Sequence, residues 1–338
     1  LFSYRHAFHA ANHADVLKHS ILVHILDYFN QKENPYWVID THAGAGIYDL
    51  TDEWATKNAE FSDGLDRLLD ADKHPALVER YLKSVQAFNP DGIANFYPGS
   101  PWLALQALRE KDRLRLFELH PTEIEILKEN LSLQDRATQK KTMVYEQDGF
   151  TGLKALLPPP TRRAITIIDP SYEDKADYRK TLQCVQDAMT RFPTGCYAIW
   201  YPLVQRREAT ELQRTFEKMK DCSWLNATLS VRKPPSDGFG LFGSGMFVIN
   251  PPWTLHGDLA KALPWLAKQL ALDERANFTL KQSASGEKQP SGEKAAAAKQ
   301  ASRTKPVART NQGPNTRPVS GKRPGSGANK ARGHTRSE

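Results

Sequence analysis

Tyr36-Trp37-Val38-Ile39-Asp40 runs directly into Thr41-His42-Ala43-Gly44-Ala45-Gly46. The apolar residues ending in a carboxylate read as a short buried strand. The small residues after it let a turn of backbone approach a ligand closely. The glycines stop short of the G-x-G-x-x-G that grips a dinucleotide pyrophosphate. The pattern therefore suits a ligand with no pyrophosphate at that end.

Outward from this stretch the chain alternates strands and helices. Asn12 predicts an N-cap, with Asp15 in the first turn, for a helix over 12–29 whose apolar residues lie almost all round it. Strands are expected at 114–118, 142–147, 164–168 and 197–200, with helices at 122–133, 178–191 and 208–220. Residues 225–231 and 246–249 can pair as a hairpin across the glycine-rich loop 236–245. Such alternation predicts an α/β fold, a doubly wound Rossmann-like sheet. The charged, helical pattern over 51–95 interrupts the rhythm, so the expected division has a main domain of 1–50 and 96–277 with an inserted helical subdomain at 51–95. From about 278 the composition turns to Ser, Gly, Pro, Ala, Lys and Arg, which predicts a disordered basic tail over 278–338.

The formal charge of +7 is unevenly divided. Residues 281–338 carry +10, which leaves −3 for residues 1–280. An RNA-binding surface on the body must then be a local patch. The chain has 3 cysteines, too few and too scattered for a disulfide framework or a zinc site. It has no long apolar run and no charged-then-apolar leader, so a soluble, cytoplasmic protein is expected.

The second informative stretch is Ile167-Ile168-Asp169-Pro170-Ser171-Tyr172. An exocyclic base amine is a poor nucleophile because its lone pair is delocalised into the ring. A carboxylate and a backbone carbonyl that accept its two N–H hydrogens localise that lone pair, while an aromatic ring stacks on a flipped-out base. Asp169 is the candidate catalytic acceptor and Tyr172 the candidate stacking ring. Asn250-Pro251-Pro252-Trp253 matches such a motif at least as well. It closes a hairpin, however, so its strand is expected to run antiparallel and point away from the ligand crevice.

In doubly wound sheets ligands bind outside the carboxyl ends of the parallel strands. This rule gathers Asp40, His42, Glu118, Asp148 and Asp169 around one crevice. Glu118 is placed for ribose hydroxyls, the insertion explaining its distance from the first loop. Asp148-Gly149 is placed for an adenine ring. A strand-end carboxylate followed by A-G-x-G resembles the pattern of S-adenosylmethionine (SAM) methyltransferases. Tyr97-Pro98-Gly99-Ser100-Pro101 predicts a helix capped by Ser100, which serves either as a cap alone or as a holder of the methionyl carboxylate. The N-terminal stretch, with Tyr4, His6 and, on the helix, Lys18 and His19, interleaves aromatics and cations suited to unpaired bases and phosphates, or else packs on the body. His9 and His13 have i,i+4 spacing, but no carboxylate or cysteine motif supports a metal site.

Ser3-Tyr4-Arg5-His6, Asn12-His13-Ala14-Asp15-Val16-Leu17-Lys18-His19, Asp40-Thr41-His42-Ala43-Gly44-Ala45-Gly46, Tyr97-Pro98-Gly99-Ser100-Pro101 and Glu118-Leu119-His120-Pro121 together resemble the RlmJ family. Its members are bacterial enzymes that methylate N6 of a specific adenine in 23S ribosomal RNA with SAM. The resemblance covers roughly residues 1–272. It implies Asp169 as catalytic acceptor, His19, His42, Ser100, Glu118, Asp148 and Gly149 around SAM, and Tyr4 against the RNA. Gly44 of the glycine loop is a further SAM candidate, and a monomer without metal or membrane is expected. Two departures stand out. Ser171 replaces the usual second proline, and the basic tail lies outside the family pattern. A DNA adenine methyltransferase, and a non-catalytic RNA-binding or ribosome-assembly factor on the same fold, are the competing readings. An NAD-dependent dehydrogenase is disfavoured by the missing third glycine.

Overall fold

The computed structural model describes residues 9–52 and 60–283. Helix α1 (His13–Asn30) is capped by Asn12, whose side chain accepts from the N–H groups of Ala14 and Asp15 at 2.8 and 3.2 Å. Its sequence is apolar on every side, and residues 13–26 are all buried. That stretch therefore lies inside the molecule, and each charge within it must be answered by a neighbour.

Strand β1 (Trp37–Asp40) follows, and then the short β2 (Ile47–Asp49). Helices α2 (Leu65–Leu69) and α3 (Ala76–Gln86) come next, and β3 (Phe96–Pro98) returns to pair antiparallel with β2. The insertion thus leaves and re-enters the fold at one point. Its apolar residues, among them Leu65, Leu68, Val78, Tyr81 and Val85, join the same buried cluster as α1. The amphipathic α3 packs on α1.

Helix α4 (Ser100–Ala107), β4 (Arg113–Phe117), α5 (Pro121–Ser132), α6 (Arg136–Lys141) and β5 (Thr142–Tyr145) continue the alternation. After them come α7 (Gly149–Leu156), β6 (Ala164–Ile168), α8 (Ala176–Arg191), β7 (Cys196–Leu203) and α9 (Arg207–Glu217). The chain then forms β8 (Trp224–Ser230), β9 (Gly243–Ile249), α10 (Leu255–Gln269) and β10 (Asn277–Gln282). The large sheet has the order β10-β8-β9-β7-β6-β1-β4-β5. Its parallel half runs from β7 to β5, with β1 flanked by β4 and β6. From β1 the chain winds outward to β4 and β5, then crosses back to β6. The switch point therefore falls between β1 and β6, where a ligand crevice opens.

The antiparallel half carries two outcomes for the sequence reading. Strand β9 pairs antiparallel with both β7 and β8, as the hairpin reading requires. The tail boundary expected at 278 needs correction. Residues 277–282 pair with β8 as β10, and Ser283 donates its N–H to Trp224 O at 2.9 Å. The polar, exposed face of this edge strand is what made it look like tail. Residues 284–338 lie outside the described residues. No helix among the described residues is long and apolar enough to cross a membrane.

Candidate active site

A cavity of about 930 Å³ opens at the switch point. Its walls include all ten candidate residues that fall among the described ones: Lys18, His19, His42, Gly44, Ser100, Glu118, Asp148, Gly149, Asp169 and Tyr172. Tyr4 and His6 lie outside the described residues. The size is within the range of about 300–1,000 Å³ common for small-molecule and cofactor sites.

The wall beside β1 is built from the glycine loop. Gly44 has φ +60°, and its N–H donates to Glu118 Oε2 at 2.7 Å. Glu118 Oε1 accepts from the N–H groups of Leu119 and His120, so this carboxylate bridges the loop after β1 and the turn after β4. A carboxylate has about four acceptor positions, so Glu118 keeps capacity for a ligand hydroxyl. Asp40 is fully buried; it accepts from Ser100 Oγ at 2.6 Å and from the His42 N–H. Burial pushes its carboxyl up to about 6, against those two hydrogen bonds.

Ser100 departs from the expectation. The cap of α4 is Gly99, and Ser100 is the first helical residue, its hydroxyl already given to Asp40. Ser100 thus ties α4 to β1. What the helix start leaves for an anion is the Ser100 N–H, since Pro101 has none and those of Trp102 and Leu103 both donate to Gly99 O at 3.1 Å.

Across the cavity Asp148 caps α7 through Oδ1, which accepts from the Phe150 N–H at 2.9 Å. Gly149 has no room for a side chain: a Cβ would come within 2.0 Å of Thr41 O. The loops after β1 and β5 therefore touch backbone to backbone. His42 packs edge-on to Phe150 at 4.7 Å and lies 2.8 Å from Thr41 Oγ1. Burial pushes its imidazole down to about 3, with Lys180 adding to the effect, so it is neutral at ordinary pH. His19 meets Tyr97 Oη at 2.6 Å, and Tyr97 in turn meets Tyr81 Oη at 3.1 Å. The insertion is wired to the site by that chain.

The centre of the site was misread from sequence in one respect. Lys18 is 4% exposed, and its Nζ lies 2.5 Å from Asp169 Oδ2 and 2.8 Å from Asp15 Oδ1. Burial opposes the ammonium, but the two carboxylates outweigh it and hold the group above its ordinary range. So enclosed, Lys18 serves as the counter-ion of Asp169, the packed alternative for this stretch. The signal was present in the sequence as an Asp15–Lys18 pair, spaced i,i+3 on a helix whose apolar residues lie almost all round it. Asp15 is itself anchored, accepting the Ala11 N–H at 2.9 Å.

Tyr172 also departs from the expected free platform. It is 2% exposed, its hydroxyl donates to Trp200 O at 2.9 Å, and its ring packs on Tyr178 at 4.6 Å. Its φ of +54° is a left-handed conformation that costs about 1–3 kcal/mol in a non-glycine residue. Arg206 Nη1, donating to Tyr172 O at 3.0 Å, helps to hold it. Tyr172 is therefore a wall of the cavity.

Asn250 follows β9 and so leaves the sheet at the end opposite Asp169. Its Nδ2 donates to the carbonyls of Pro193 and Gly195, both at 2.8 Å, and braces the turn before β7. His9 precedes α1 and pairs with Glu60 at 3.0 Å, so the i,i+4 spacing with His13 does not put both on one helical face. Among the described residues no group of three His, Cys, Asp or Glu stands where it could hold a metal ion.

Comparison with known proteins places this geometry. Residues 33–281 match a family model described as ribosomal RNA large subunit methyltransferase D, RlmJ. Ribosomal RNA large subunit methyltransferase J of Escherichia coli K12 is 42% identical over 270 residues, covering 80% of this chain and 94% of that protein. Its counterpart in Haemophilus influenzae is 40% identical over 282 residues, covering 83% and 98%. Among solved structures, protein LPL1258 of Legionella pneumophila aligns with a TM-score of 0.73 at 34% identity, over 82% of this chain and 99% of that one.

Proposed function

Because this chain belongs to the RlmJ family of ribosomal RNA large subunit methyltransferases, we propose that it transfers a methyl group from SAM to the N6 amine of one adenine in 23S ribosomal RNA. The observation that carries this reading is the position of Asp169. It ends the parallel strand beside β1, at the switch point, in the same cavity as the glycine loop.

The residues present fit the cofactor. Asp148 spends only Oδ1 on its helix cap and retains an acceptor for an adenine amine. Glu118 has acceptor capacity for ribose hydroxyls, and the Ser100 N–H at the positive end of α4 suits a carboxylate. His19, His42 and Gly44 complete that side. When bound, SAM supplies an electrophilic methyl group.

The protein's own part is to hold the amine. Asp169 accepts a hydrogen bond from the N6 amino group, and a backbone carbonyl of the Pro170-Ser171 turn accepts the other. Together they draw the lone pair out of conjugation. A carboxylate that accepts from Lys18 through Oδ2 keeps further acceptor positions, which suits a role in positioning. The amine sheds its proton readily once methylated. The adenine enters the cavity flipped from its stack, against the wall formed by Tyr172.

The test is transfer of labelled methyl from SAM to deproteinised 23S rRNA, 16S rRNA and duplex DNA, followed by mapping of the modified nucleoside. Label in a 23S N6-methyladenosine is the expected result, and label in DNA would favour the competing reading. Asp169→Ala should lose transfer while still binding SAM. Asn250→Ala should retain turnover apart from some loss of stability. A folded, inactive Asn250→Ala would mean the catalytic motif had been misassigned.

A further inference from the structure

Phe239 is 80% exposed, the most exposed large apolar side chain among the described residues, and it belongs to the rim of the catalytic cavity. An aromatic ring left in water forgoes a large area of apolar contact. The loop is nonetheless constructed to display it. Gly238 and Gly240, on either side, have φ of +78° and +92°. A Cβ at Gly238 would meet nothing within 4 Å, so glycine serves the backbone conformation there, not a close contact.

Both flanks of the loop are pinned. The Gly238 N–H donates to Pro235 O at 3.1 Å, and Asp237 Oδ1 accepts the Phe239 N–H at 3.0 Å. Gln205 reaches the same Pro235 carbonyl, and Arg232 Nη2 holds Leu241 O at 2.7 Å. The base of the loop is held by hydrogen bonds and its tip is a bare ring. Lys175 and Arg206 belong to the same rim, while Arg232 and Lys233 are exposed on the approach to the loop. Cations spaced around an aromatic ring suit a nucleic-acid strand, with phosphates meeting the charges and a base meeting the ring.

We propose that Phe239 stacks on a base of the RNA at the mouth of the cavity, next to the adenine drawn inside. The inference rests on the RNA methyl-transfer reading and adds to it a residue that holds the substrate strand open. Apolar side chains set against unstacked bases do the same in other nucleic-acid complexes.

Phe239→Ala, Phe239→Leu and Phe239→Trp separate a ring from mere apolarity. Each is assayed for methyl transfer to deproteinised rRNA, for SAM affinity by calorimetry and for thermal stability. Phe239→Ala and Phe239→Leu should lower kcat/KM for RNA by roughly 5- to 150-fold, the range that one base–aromatic stack supports. Phe239→Trp should stay within about threefold of the parent, since any aromatic face stacks. SAM affinity and melting temperature should not move in any of them, because the ring covers nothing. In Phe239→Trp, the extra emission over the parent should be quenched by saturating RNA.

Parent-like kcat/KM in Phe239→Ala, or Phe239→Leu as active as Phe239→Trp, would overturn the stacking role. So would unquenched emission from position 239 at saturating RNA. A parent protein that methylates no rRNA would refute the function reading alone, since the emission titration reports on Phe239 without turnover.

Discussion

Replacing Lys18 with methionine keeps the aliphatic stem and removes the charge. If Lys18 is the buried counter-ion described above, the substitution strands Asp15 and Asp169, whose side chains lie against the same ammonium at 2.8 and 2.5 Å. Breaking a buried pair costs about 3–5 kcal/mol, because the remaining charge is left without its partner. For a body of this size that corresponds to a fall in melting temperature of roughly 6–10 °C, at about 2 °C per kcal/mol. Methyl transfer should fall with it, since Asp169 loses the group that orients it. Removing one stranded charge should return part of the stability, so Lys18→Met/Asp15→Asn should melt above Lys18→Met. The RNA assay is equally informative. A phosphate contact would appear as a salt dependence of binding shallower by roughly 0.7 in log–log slope, whereas an enclosed lysine leaves that slope unchanged. Melting and salt slope would be measured on the same variants. A melting temperature within about 2 °C of the parent, together with a shallower salt slope, would refute the counter-ion assignment and restore Lys18 to the RNA surface.

Three further outcomes follow from the structure. Gly149→Ala should lose SAM affinity and stability together, because its Cβ would meet Thr41 O at 2.0 Å, a backbone atom that cannot swing away; calorimetry with SAM and a thermal melt check this, and parent-like values in both would reject the tight contact. Stability should fall as pH is lowered from about 6.5 toward 4. Burial holds the imidazoles of His13 and His24 down to about 4 and His42 to about 3, so each takes up its proton only on unfolding. Asp40, pushed up to about 6, binds its proton first in the folded state and offsets one of the three. Burial also raises the carboxyls of Asp27, Asp66 and Asp177, which offset more toward the acid end, so the fall should be steepest in the upper part of this window, and a melting temperature that is flat there would refute it. Truncation after Ser283 keeps β10 whole while removing 12 Lys/Arg and 3 Asp/Glu. Turnover at saturating RNA should persist, and affinity at low salt should drop with a shallower salt dependence. Equal affinities and parallel slopes would make the tail irrelevant to RNA binding.

The sequence by itself determined the parallel core of this protein and the identity of most groups around the cavity. Buried strands announce themselves as apolar runs, and a carboxylate or glycine at their ends is legible because it breaks the run at the place where ligands bind. Asp40, Glu118, Asp148 and Asp169 were found in this way, and so was the antiparallel sense of β9 that set Asn250 apart. The sequence could not show what each polar group is already bonded to. Ser100 reads as a cap, but its hydroxyl belongs to Asp40, more than fifty positions away in the chain. Lys18 reads equally as a phosphate contact or as a packed residue, and it sits on Asp169, 151 positions distant. Tyr172 reads as an open ring, yet Trp200 and Tyr178 cover it. Strand β10 was lost to the tail because an edge strand carries little apolar signal and exists only by pairing with β8. Periodicity and strand ends are written along the chain, whereas the partner of a charge or hydroxyl is chosen by whatever the fold brings next to it. A buried charge must have a partner, and only the tertiary structure decided that Lys18 and Asp169 are partners.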